Sequence, residues 1–308
     1  QARSEEVVRR HVNEPPATHV KETRFPDGYV AYFDTVAWNR LLDHPDRQSL
    51  ITAMARADVR VIASVFVAAE IAQTRDLGRR SALGALVRQV HGDGPLLEHP
   101  VEMAIPMSRA ILRGEDDFVV PARPETEHFL AFLKDPGDDE LHQEVVDWVA
   151  RQEGKFATVF EQLKPPSPGS RGPFLTQEVL SGDPVLETLM ALPGVREEGL
   201  TLADMRTMHD APHDSIWTAL AAMMAYLLDQ ADRHAGRRWR GAFDLWQAVY
   251  LGLPINAFVT DDGALRTAAT AILAVLKERR EVLTPSVLFT GLKRSEEHTS
   301  ELQSPNTI

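Results

Sequence analysis

The chain has 308 residues, a formal net charge of −12, 44% hydrophobic and 25% charged residues, and no cysteine. That balance is ordinary for a globular protein and long enough for a substantial core, in one large domain or two modest ones. It excludes disulfides and thiolate metal sites, holds no run near the roughly eighteen apolar residues of a membrane span, and disfavours coating nucleic acid by charge alone.

Residues 1–27 are polar, with one short helical pattern from Ser4 to Val12, and form a peripheral segment. Tyr29 to Asp34 has the aromatic and β-branched run of a buried strand. Val36 to Leu42 and Arg47 to Arg56 follow as amphipathic helices, and Val59 to Ala63 as a second strand. Ser64 is placed to cap the apolar helix Val65 to Ala72. This βαβα opening predicts a parallel sheet covered by helices over residues 28–91.

From 92 to 240 the pattern changes to helices at 101–113, 124–134, 138–163, 175–192 and 214–235, broken by Pro- and Gly-rich joints such as Lys164 to Pro173. No strand and no repeat period emerges, so this segment is expected to be a mainly helical insertion or subdomain. Within it, Met208 to Asp214 holds two His-Asp pairs. Pro212 breaks their helical spacing, and the segment is expected to be a helix entry capped by Asp214. Trp217, Trp239, Trp246 and Tyr250 are expected as core or subdomain contacts rather than base-stacking platforms. Of these, Trp239, beside Arg237, Arg238 and Arg240, is the best candidate for stacking on a base.

The α/β pattern resumes over residues 241–293. Gly241 to Leu251 is expected to be a helix stopped by Gly252, Ile255 to Thr260 a strand, and Gly263 to Arg280 a helix. Glu281 to Leu283 is a short strand, and Pro285 to Leu292 a last helix capped by Thr284. The sheet is therefore expected to be assembled from both ends of the chain. Residues 294–308 are set apart, because Arg294 to Ser304 looks like a translated sequencing-library adapter followed by its index read. A start at Gln1 suits a gene fragment cut at both ends. The tail carries Arg294 against Glu296, Glu297 and Glu301, a net −2, so residues 1–293 carry −10.

Four carboxylates stand isolated in apolar surroundings: Asp34, Glu70, Asp244 and Asp262. A carboxylate in a dry setting costs several kcal/mol or takes up a proton, and a cation shared by several of them removes that cost. Asp34 and Asp262 follow strands, and ligands of parallel sheets gather at the carboxyl ends of strands. Oxygen donors suit Mg²⁺ or Mn²⁺.

Phe33-Asp34-Thr35, Ser64-Val65-Phe66-Val67-Ala68-Ala69-Glu70-Ile71, Asp244-Leu245-Trp246-Gln247-Ala248, Phe258-Val259-Thr260-Asp261-Asp262-Gly263 and Val282-Leu283-Thr284-Pro285 together resemble the PIN-domain family of metal-dependent ribonucleases. The resemblance covers residues 29–90 and 240–292. It implies a three-layer α/β/α domain with a central parallel sheet, interrupted here by the helical insertion. It also implies an endoribonuclease in which Asp34, Glu70, Asp244 and Asp262 hold Mg²⁺ or Mn²⁺ and carry catalysis. Thr35 and Thr260 would support the acids by hydrogen bonds, and Arg75, Arg240 and Arg266 are candidate nucleic-acid contacts. The Thr-x-Asp register favours Asp262 over Asp261. Asp214 or Asp210 replaces Asp244 if the alignment across the insertion shifts. The family often has Asn two residues after the first acid; this chain has Val36, with Asn39 one turn later as the nearest substitute.

The expected partner is RNA, with DNA left open, in a cytoplasmic protein without membrane contact whose homo-oligomeric state is open. The alternative is a catalytically silent PIN-like module that binds RNA or protein. A metal phosphohydrolase of small esters is a third reading. GxGxxG, Walker A and Gly-x-Ser-x-Gly motifs are absent.

Overall fold

Four short apolar runs pair into one parallel sheet in the computed structural model, which describes residues 28–92, 94–113, 124–162, 183–210, 216–233, 245–276 and 280–293. The strands are β1 (Tyr29–Phe33), β2 (Val59–Ile62), β3 (Ala257–Val259) and β4 (Glu281–Leu283), in the order β2-β1-β3-β4. All four lie where the sequence places strands. Tyr32 is paired with Ile62 on one side and with Phe258 on the other, 226 residues along the chain from its neighbour. The molecule is thus α/β, with a sheet built from both ends of the sequence.

The strand order has a consequence for ligands. The chain steps from β1 to β2 on one side, then returns across β1 to β3 and continues to β4. The sense of winding reverses between β1 and β3, and open parallel sheets bind ligands outside the carboxyl ends of strands at such a reversal.

β1 is followed by α1 (Thr35–Leu42) and α2 (Arg47–Arg56), and β2 by α3 (Val65–Ala72) and α4 (Leu77–His91). The middle segment contributes α5 (Pro100–Arg113), α6 (Pro124–Lys134), α7 (Asp139–Gln162), α8 (Asp183–Ala191), α9 (Pro193–Glu197), α10 (Leu202–Asp210) and α11 (Ile216–Arg233). A 3-10 helix (Trp246–Gly252) precedes β3, α12 (Gly263–Leu273) joins β3 to β4, and α13 spans 285–293. The helices α4, α9 and α10 are not anticipated by the periodicity. Where an α-helix is expected over Gly241 to Leu251, the described part from Trp246 is 3-10, and α12 ends at Leu273, short of Arg280.

One buried cluster runs from the strands into the helices between 101 and 227. Its centre is aromatic. Tyr32 stacks on Phe258 at 5.1 Å and meets Tyr250 at 4.9 Å, while Phe33 meets Trp38 at 5.4 Å. Each such ring, fully withdrawn from water, contributes about 1.5–3 kcal/mol. Trp217, Trp246 and Tyr250 are buried as expected. Among the described residues the middle segment has no strand beyond a single bridge between Ser64 and Leu97, and no helix is long and apolar enough to cross a membrane. Residues 1–27, the Lys164 to Pro173 joint, the Asp214 cap, Arg237 to Arg240 with Trp239, Asp244 and the 294–308 tail lie outside the described residues.

Candidate metal centre

Asp34 ends β1 and begins α1. Its backbone is extended, which lets the side chain fold over the helix start, so Oδ1 accepts the Ala37 amide at 2.7 Å. Helix starts leave amides unsatisfied, and a carboxylate there is a favoured cap. Asp262 repeats the arrangement after β3: its Oδ1 accepts the Leu265 amide at 2.7 Å at the start of α12. Two neighbouring strands of the reversal point therefore each end in an aspartate.

Thr260 joins the two. Its buried hydroxyl donates to Asp34 Oδ2 and accepts the Asp262 amide at 3.0 Å. One hydroxyl thus serves both strand ends. Thr35 is different. Its Oγ1 is buried with no hydrogen-bond partner, an orphan acceptor next to Asp34.

Asp34 is 2% exposed and its pKa is pushed up from 3.8 to about 7. Burial is the largest cause, the Thr260 and Ala37 hydrogen bonds oppose it, and the carboxylates of Asp262 and Asp261 add to the rise. Asp34 thus sits in a negative field created by its own neighbours. Asp261 is partly compensated, because Arg40 Nη2 contacts its Oδ2 at 2.9 Å. Asp262 is exposed and uses Oδ1 for the cap of α12.

Glu70, half-buried on α3, accepts Gln247 Nε2 on Oε1 at 2.6 Å. It reaches the same neighbourhood as Asp34 through Tyr32, whose phenol pKa both carboxylates help to raise. Asp244 lies outside the described residues, as does Asp214; Asp210 ends α10, far along the chain from the strand ends. Among the described residues no three histidine, cysteine or carboxylate side chains form a metal-holding group. The structure brings Asp34 and Asp262 together, while Glu70 is hydrogen-bonded to Gln247 in a separate network that shares Tyr32 as an electrostatic neighbour with Asp34.

Of the expected nucleic-acid contacts, Arg75 and Arg266 are exposed, and Arg240 lies outside the described residues. Asn39, the substitute for the missing polar residue at Val36, is already engaged, since its Oδ1 accepts from Arg79 at 2.6 and 3.1 Å. Sequence reasoning did not single out Arg40. It reaches Asp261 from α1 and lines a cleft of about 330 Å³ with His44, Phe289 and Lys293 between α1 and α13. Nothing in the local pattern of α1 distinguishes Arg40 from a solvated arginine; only the return of β3 beside β1 gives it a partner.

The donors at the strand ends are hard oxygens, and the orphan Thr35 hydroxyl, the exposed Asp262 carboxylate and the raised pKa of Asp34 fit a small divalent cation. No family model, curated protein or solved structure matches this chain.

Proposed function

We propose that the chain is a PIN-like metal-dependent nuclease, an endoribonuclease that hydrolyses phosphodiester bonds at a Mg²⁺ or Mn²⁺ centre. One observation carries this reading: the buried, charge-stressed Asp34 and the partly open Asp262 end the two strands that flank the reversal of the sheet, tied by Thr260. Right-handed crossovers would place α1 and α2 opposite α12, giving the three-layer arrangement of that family around the middle segment.

Asp34 and Asp262 would hold the ion, with Glu70 and Asp244 completing the set. Bound there, the ion supplies an activated water and stabilises the leaving oxygen. Thr260 fixes the two aspartates, and Arg40 and Lys293 in the cleft beside Asp261 would meet the flanking phosphates of the strand by exchanging their surface partners Asp261 and Asp46. A chain of net charge −12 meets a polyanion only where such local cations and the bound metal offset its own field.

The silent-module reading keeps one observation in its favour, the lack of a three-ligand group among the described residues. Labelled single-stranded RNA incubated with the protein in Mn²⁺ or in EDTA separates the two. Metal-dependent cutting by the wild type, lost by at least a hundredfold in Asp34→Asn and Asp262→Asn, is the expected result. If the wild type cuts nothing, or the variants cut equally well, the nuclease reading is lost. Hydrolysis of small phosphate esters without RNA cleavage points instead to the phosphohydrolase.

A further inference from the structure

The geometry assigns Gln247, locked by Tyr32, the task of positioning the Glu70 carboxylate for a cation. The assignment rests on the metal-centre reading above and adds to it two residues, Gln247 and Tyr32, that the acidic motif does not contain.

The hydrogen bonds have only one consistent direction. Tyr32 Oη lies 2.7 Å from Gln247 Oε1 and 2.8 Å from Ser64 Oγ. An amide oxygen cannot donate, so the single phenolic proton goes to Gln247, and Ser64 must donate to Tyr32. With its oxygen held by Tyr32, the Gln247 amide turns its nitrogen to Glu70, 2.6 Å from Oε1. Turning the amide over would set two oxygens against each other at the Glu70 end. The relay therefore runs from Ser64 to Tyr32 to Gln247 to Glu70.

Tyr32 and Ser64 are fully buried and Gln247 is 1% exposed, so none of these bonds is exchanged for water at little cost. Burial keeps Tyr32 a neutral phenol with its proton in place. The relay also coincides with a departure from expectation. Ser64 stands at the start of α3 but makes no side-chain cap, its hydroxyl being turned toward Tyr32 instead.

Four elements meet here: β1 through Tyr32, the turn before α3 through Ser64, α3 through Glu70, and the 3-10 helix through Gln247. Gln247 also comes three residues after Asp244 in the sequence, so one segment carries both a proposed ligand and the group that orients another. An amide does this without bringing a charge of its own. Partners that orient metal ligands from behind typically change metal affinity by about 10–100-fold when removed.

The test uses the full chain stripped with EDTA and titrated with Mn²⁺ by calorimetry, with thermal melts in EDTA beside it. Gln247→Met removes the donor at similar length and leaves the Tyr32 phenolic proton without its acceptor. The double variant Tyr32→Phe/Gln247→Met removes both polar partners and leaves Ser64 the Tyr250 hydroxyl as its remaining neighbour, so the melting temperature recovers toward wild type. The expected result is a Mn²⁺ dissociation constant raised about tenfold in both variants, with no recovery in the double variant. If the double variant regains wild-type affinity together with its melting temperature, Gln247 is merely structural and the assignment is overturned. Should the wild type itself bind no Mn²⁺, the metal-centre reading fails, and the assignment falls with it.

Discussion

Two hydrogen bonds favour the charged form of Asp34, and burial still lifts its pKa from 3.8 to about 7. The folded protein therefore keeps a proton between about pH 4 and pH 7 that the unfolded chain has already released. In that window the native state binds more protons, so stability falls as pH rises, and the loss is complete above about pH 7. A rise of this size corresponds to on the order of 4 kcal/mol. Asparagine at this position keeps an oxygen for the Ala37 amide and carries no charge. Asp34→Asn is thus expected to be more stable than the wild type at pH 8 in EDTA, with the difference vanishing near pH 4. Thermal or urea unfolding at several pH values measures it. On the proposed metal centre, the order is expected to reverse at pH 8 when Mn²⁺ is added, because only the wild type would gain from binding. A stability difference that does not change with pH would show that Asp34 is not the strained group.

At the scale of elements, the plain and the functional readings of the aspartates turn out to be compatible. Asp34 and Asp262 are helix caps by geometry, and the same placement aims them at the reversal of the sheet. The strands were legible because Tyr-Val-Ala-Tyr-Phe and Ala-Phe-Val are short buried runs with turn residues after them. α4 was not legible, because Gly78 and Gly84 interrupt Leu77–His91 and weaken its helical signal. Gly84 has a tertiary reason: a methyl group there would lie 2.8 Å from Pro136 Cγ and 3.0 Å from the Leu133 carbonyl oxygen. Gly84→Ala sets about 1 kcal/mol of helix propensity against that overlap at the end of α6. Overpacking of this kind costs about 1–3 kcal/mol, so the variant is expected to melt lower than the wild type. A higher melting temperature would mean that α4 and α6 separate easily. The pairings of Glu70 with Gln247 and of Asp34 with Thr260 span 177 and 226 residues, and no local pattern announces them. The acids were visible one at a time, while the groups that hold them became visible only through the fold.

At the scale of the whole molecule, the N-terminal strands cannot form a complete sheet alone. β1 is a central strand, bonded to β2 on one side and to β3 on the other, and β3 in turn carries β4. Tyr32 and Phe33 are fully buried partly because Phe258, Tyr250 and Phe289 cover them. α11 lies along the 3-10 helix and α12, so the middle segment also depends on the last quarter of the chain for its cover. A chain ending after Arg233 would expose the β3 edge of β1 and the apolar flank of α11 together. Such a fragment is expected to show no cooperative thermal transition and to bind a hydrophobic dye, because the contacts it lacks lie at the centre of the one buried cluster. Calorimetry of residues 28–233 against the full chain decides the matter. A sharp transition near that of the full chain would mean that β1, β2 and the helices up to α11 are self-sufficient. Asp34 would then be held in place without the strand that delivers Asp262, and the sheet reversal would be a later addition to an independent unit. Loss of the transition means that both aspartates are set by the same folding event, so that the centre exists only when the two ends of the chain have met.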